Sequence, residues 1–240
     1  MIAATINTHR LLTRTRFPRP GCWSRFTPQD WYFVRDTLAR DEKARAGFNA
    51  ILDDTTAIPL ILDNDLLFQT IVQNRQAARA LSPELYFYLI IRHSLHERGI
   101  DDAIVADYMA GVCADHGCGP EKGPEEINRS VDRMYSVDYL EALNEADGYE
   151  HFFLHVQCAG QYLVLASFYP DYIERRSRRR GAPDVGYYEE VVISHLHAAR
   201  AHVLADEFEL EDTLRRVAAA FPIARRALNH TTREFLSLGR

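Results

Sequence analysis

Cysteine is scarce in this chain. Four occur in 240 residues, at positions 22, 113, 118 and 158, with no regular spacing. That excludes a disulfide scaffold and points to a reducing compartment, the cytoplasm. Glycine and proline are few as well, 12 and 10, which excludes collagen-like and low-complexity architectures. No apolar run is long: the longest, residues 162–169, falls far short of the ~18 residues of a membrane-spanning helix, so no membrane span is expected. Acidic residues are missing from the first 29 positions, which carry Arg10, Arg14, Arg16, Arg19 and Arg25. Nucleotide and nucleophile signatures are missing too. There is no G-x-S-x-G elbow, no G-x-x-x-x-G-K-[ST] loop, no G-x-G-x-x-G turn and no H-E-x-x-H.

What remains is a globular composition. Hydrophobic residues make up 47% and charged residues 26%, too apolar for a disordered chain. The net charge of −6 argues against nucleic acid as a partner.

Helix signals recur along the chain. Thr27-Pro28-Gln29-Asp30 combines a cap, a proline at the first helical position and an acid in the first turn. Ser82-Pro83-Glu84 repeats that signal and predicts a helix to Arg98, stopped by Gly99. Ile104, Tyr108, Met109 and Val112 space a further helix over 101–118, followed by a loop at 119–124. Helical patterning returns over 125–146 and 149–169, with a break at Asp147-Gly148 and a stop or kink at Pro170. The polar stretch 175–186 closes on Gly181-Ala182-Pro183. Two last helices follow, over 185–205 and 209–238, with Pro222 a candidate interruption. Strict alternation is nowhere sustained, and residues 58–61 are the single candidate strand. The predicted fold is all-α: one bundle-like domain of about eight helices over 27–240, preceded by a basic N-terminal arm over 1–26. The arm's composition also fits an organellar transit peptide; the preferred reading is a basic segment lying over the chain's own acidic body. Residues 85–95 and 152–168 are apolar on most sides and predict central helices.

Three constellations could carry chemistry. His151, His155 and Cys158 stand at i, i+4 and i+7, on one helical face that Tyr162 continues. Imidazoles at i and i+4 with a thiolate form a chelate suited to zinc or iron. His93 and His96 sit on another helix, and His195 and His202 share a face with Tyr188 and Val192, so histidine-bearing helices could converge on a metal or haem. The Glu-x-x-His pairs of a di-iron bundle are missing. Cys113, His116 and Cys118 lack the second ligand pair of a structural zinc site. Arg175, Arg176, Arg178, Arg179 and Arg180 form the one dense basic run, with Glu174, Asp184, Glu189 and Glu190 nearby as counter-charges.

Gly160, residues 163–167, Phe168-Tyr169-Pro170, Arg175-Arg176 and Tyr187-Tyr188 follow one another in an order with a counterpart elsewhere. The stretch resembles a group of bacterial all-helical proteins carrying G-D-x-x-L-F-x-x-G-F-F-P … R-R … V-x-Y-Y, to which no activity is assigned. Residues 81–100 and 221–235 are compatible with the same group. Gln161 stands where the pattern has Asp, and Ser167 where it has Gly. The resemblance implies a helical domain and no chemistry.

The functional expectation is a non-enzymatic module, with no cofactor, binding a partner protein or small ligand near 168–190. Arg175, Arg176, Tyr187 and Tyr188 are the candidate contacts, since Tyr and Arg are enriched at recognition surfaces. The alternative is a metal- or haem-dependent enzyme built on His151, His155 and Cys158.

Overall fold

The computed structural model describes residues 21–39, 41–52, 56–115, 143–144 and 146–234. Of these, 83% are helical and none is in a strand, so the fold is all-α. The predicted loop at 119–124, most of the 125–146 helix, His116, Cys118 and residues 1–20 of the basic arm lie outside the described residues. No described helix is long and apolar enough to cross a membrane. The backbone falls into two compact units, one of residues 21–114 and one holding 115–240, a division at which the sequence set no boundary.

In the first unit, a single 3-10 turn, Trp23–Arg25, precedes α1 (Pro28–Leu38), α2 (Glu42–Leu52), α3 (Ala57–Leu62), α4 (Asp65–Gln73), α5 (Arg75–Ala80), α6 (Pro83–His96) and α7 (Ala103–Asp115). The two Thr/Ser-Pro signals start α1 and α6 as expected, and one carboxylate joins them. Asp30 closes a capping box with Thr27, and its second oxygen accepts the backbone N–H of Ser82 at 2.8 Å. A fully buried acid thus ties two helix starts together. Asp107 of α7 does the same for residues 21–26. It accepts the N–H groups of Cys22 (2.7 Å) and Trp23 (3.2 Å), and Trp23 packs edge-on against Tyr88. Gly21 makes this approach at φ +83°, where a side chain would be strained. Val34, Leu67, Ile71, Leu85, Leu95, Val105 and Met109 are among the buried apolar side chains of this unit.

Residues 58–61 are helical, not a strand. They lie within α3, one of three short helices between 57 and 80. A strand needs a partner to pair its backbone, and among the described residues none exists. Asn64 and Asn74 start α4 and α5 by accepting the N–H groups of Leu66 and of Gln76 and Ala77. These short helices bring the described total to twelve, above the predicted eight or so.

The second unit contains α8 (Gly148–Phe168), α9 (Pro170–Arg180), α10 (Val185–Arg200), α11 (Val203–Glu207) and α12 (Glu211–Glu234). Asp147 caps α8 and Asp184 caps α10, at the two breaks read from sequence. Pro170 ends α8 and takes the first position of α9, so the arginine run is helical up to Gly181, which caps it at φ +62°. Pro170 has no N–H to give to the carbonyl of Ala166. Asn229 of α12 supplies the donor instead, reaching the carbonyls of Ala166 (2.9 Å) and Ser167 (2.6 Å). Its own oxygen accepts from Arg225, which pairs with Glu189 of α10 at 2.6 Å. α8, α10 and α12 pack on one another. Pro222 does not interrupt α12: Leu214, Val217, Ala218, Phe221, Ala224 and Leu228 bury one continuous stripe on both sides of it.

Candidate functional site: a histidine seam and a basic elbow

α8 and α10 run side by side in an antiparallel register that three side-chain layers define. A Cβ on Gly148 would stand 3.8 Å from His202 Nε2, His155 meets His195, and Tyr162 stacks on Tyr188 with ring centres 5.3 Å apart. Each step is seven residues forward on one strand of the seam and seven back on the other, the repeat that keeps one face of a helix toward its neighbour. The face predicted for His151, His155, Cys158 and Tyr162 is therefore real. It runs from half-buried imidazoles at one end to Cys158 and Tyr162, both in the core.

The middle layer is chemically unusual. Nδ1 of His155 lies 2.7 Å from Nδ1 of His195. A contact of that length requires one ring to donate Nδ1–H and the other to accept through its Nδ1 lone pair. The two rings are then opposite tautomers, and the donor keeps a lone pair at Nε2. His151 packs edge-on to His155, ring centres 4.6 Å apart. Burial, followed by the neighbouring His195, His151 and His202, pushes the His155 imidazole down to about 4; burial also lowers His195. Both rings are neutral near pH 7, the form that binds metals.

His202 sits differently from the sequence expectation. α10 ends at Arg200, and His202 caps α11, its Nδ1 accepting the N–H of Leu204. Cys158 does not assemble a three-donor site with His151 and His155. Among the described residues, the one set of three ligand-type side chains with donor atoms within 4.8 Å of one another is Asp63, His96 and Asp101, in the first unit. The buried Arg92 guanidinium already occupies that set, gripping Asp63 through two nitrogens and Asp101 through one, with His96 3.4 Å from Asp101. Arg92, and then His96, hold the Asp101 carboxyl below its ordinary range. This is a clip joining the α3–α4 turn, α6 and the segment before α7. His93, on the same helix, stacks on Phe68 with ring centres 3.6 Å apart.

The elbow between α9 and α10 holds the other candidates. Arg175 donates to the carbonyl of Asp171 one turn back, and Arg176 lies over the Tyr172 ring. Tyr187 is exposed and packs edge-on to Tyr188, which is only 7% exposed and belongs to the core. Beyond them Arg178, Arg179 and Arg180 line the last turn of α9, all exposed. Arg178 comes within 3.9 Å of Glu174.

The sequence placed His195 on a face but gave no reason to pair it with His155. The signal was the seven-residue spacing of positions 148, 155 and 162 on one helix and 188 and 195 on the other. No known protein family, curated protein or solved structure matches this chain.

Proposed function

We propose that the chain is a non-enzymatic helical module that holds a partner protein at the α9–α10 elbow, in the cytoplasm of a bacterium. The observation that carries this reading is the pair Arg179 and Arg180. Both are exposed, and among the described residues neither has an ion-pair partner. One cation in a last helical turn is accounted for by the helix dipole. Three in succession, on a chain of net charge −6, are more than the helix end needs. The exposed Tyr187, in the first turn of the helix that follows, adds apolar area with a polar tip, the type of residue that anchors interfaces. An acidic face on a protein partner fits both. Arg175, Arg176 and Tyr188 then serve the elbow itself, through a hydrogen bond one turn back, a ring stack and the core. The low cysteine count supports the reducing compartment, and the motif likeness over 160–188 is the ground for the bacterial source.

The test is capture of partners from the native host by wild-type bait and by R179E/R180E and Y187A baits, followed by an isotherm for the captured protein at rising salt. A partner held by wild-type protein, lost by the charge-reversed bait, weakened about tenfold by Y187A and weakened further by salt supports the reading. Equal recovery by all three baits removes it.

A further inference from the structure

We propose that His155 and His195 bind one divalent transition-metal ion, of the zinc or nickel class, in the α8–α10 seam through their Nδ1 atoms. This site is separate from the elbow.

A half-buried layer of two histidines is an odd thing to set between Gly148/His202 on one side and Tyr162/Tyr188 on the other. Apolar residues would fill such a layer at no cost in desolvation. Two imidazoles whose Nδ1 atoms point at one another are instead a pair of borderline donors converging on one point. Imidazole donors without carboxylates select zinc, nickel or copper and disfavour magnesium and calcium. Metal–nitrogen bonds of ~2.0–2.1 Å at a tetrahedral angle put two ligating nitrogens roughly 3.3 Å apart. The present 2.7 Å must therefore open by roughly 0.6 Å. Small rotations of the two rings supply that, because the terminal torsion of histidine is broad.

Protons balance with no net release, water relaying the one that moves. The donor ring moves its proton from Nδ1 to Nε2, both rings become Nε2–H tautomers, and both Nδ1 lone pairs go to the metal. Water fills the remaining positions. His202 stands one seven-residue layer away, which is why it faces Gly148 and is no ligand here. The competing account is that the pair is a polar register pin, one hydrogen bond that fixes which residues of α8 meet which of α10. The two accounts differ in whether metal changes anything.

The experiment uses the full chain, expressed without a histidine tag and stripped with chelator, titrated with Zn²⁺ and Ni²⁺ by calorimetry. It compares wild type, H155Q, H195Q and H197Q, the last on the exposed side of α10. In parallel, long-range ¹H–¹⁵N spectra of the histidine rings follow the Nδ1 and Nε2 signals of wild-type protein during the titration. The expected result is one ion per chain, affinity lowered by at least ~10-fold in H155Q and in H195Q and unchanged in H197Q. The ring signals of His155 and His195 should convert together to Nε2–H with metal on Nδ1. If a glutamine variant fails to fold, the ring spectra of the wild type decide alone. No one-to-one binding, equal affinity in the variants, or ring signals untouched by saturating metal overturns the proposal.

Discussion

Asn229 illustrates how one side chain can repair a backbone defect. Pro170 leaves the Ala166 carbonyl without its helical donor inside a buried junction, and a buried unpaired carbonyl costs free energy. The Asn229 amide reaches that carbonyl and the next one, while its oxygen accepts from Arg225, itself paired with Glu189. A donor on α12 thereby fixes the end of α8 and the start of the elbow. Replacing Asn229 with Ala leaves two carbonyls and one guanidinium nitrogen without their partner, and the expected loss is about 2–4 kcal/mol. Urea unfolding measures it: the midpoint falls while the slope is unchanged. A loss under about 0.5 kcal/mol would mean that water replaces the amide freely, and that Asn229 does not hold the junction.

At the scale of helices, the α8–α10 seam ties packing to protonation. With chelator present, a fall in pH tests it. His155 binds its proton at about 4 in the folded protein against 6.5 in the unfolded chain, so between those values the unfolded state carries the extra proton. Stability is therefore full above 6.5 and declines as the pH falls toward 4. His195 and His151 pack against the same ring, and they and the more distant His202 oppose a charge on it, after burial. For a half-buried ring the decline is on the order of 1–2 kcal/mol after discounting for solvent. Melting curves at pH 7 and pH 4.5 should differ by several degrees more in wild type than in H155Q; equal differences would detach the seam from this titration. Helices were legible at Thr27-Pro28, Ser82-Pro83, Asp147 and Asp184, where the chain spelled out their starts, but not after Asp41. They were missed where a lone Asn did the capping, at Asn64 and Asn74, and where a polar run hid α9, because its apolar face is narrow. The face shared by His151, His155 and Cys158 was legible from period alone. Its partner on α10 was not, since periodicity gives a direction around one helix and says nothing of which helix lies opposite.

Over the whole chain, the polar ties described above stay within their own unit. Asp30 joins Thr27 to Ser82, Asp107 holds Cys22 and Trp23, and Arg92 binds Asp63 and Asp101, all between residues 21 and 114. Asn229, Arg225, Glu189 and the histidine seam belong to the other unit. Composition alone could not reveal this division, because a percentage taken over the whole chain carries no position along it. A unit that contains its own caps, buried ion pairs and apolar centre meets the requirements for folding alone. Residues 21–114 expressed by themselves should give a helical circular-dichroism spectrum and one cooperative melting transition. Asp107→Ala in that fragment should lower the melting temperature, since it strands the N–H groups of Cys22 and Trp23, whereas Asp36→Ala, at an exposed ion pair, should hardly change it. A fragment that stays unfolded under conditions where the full chain melts cooperatively would show that the first unit draws its stability from beyond residue 114, and the ties within it would then be insufficient to specify its fold.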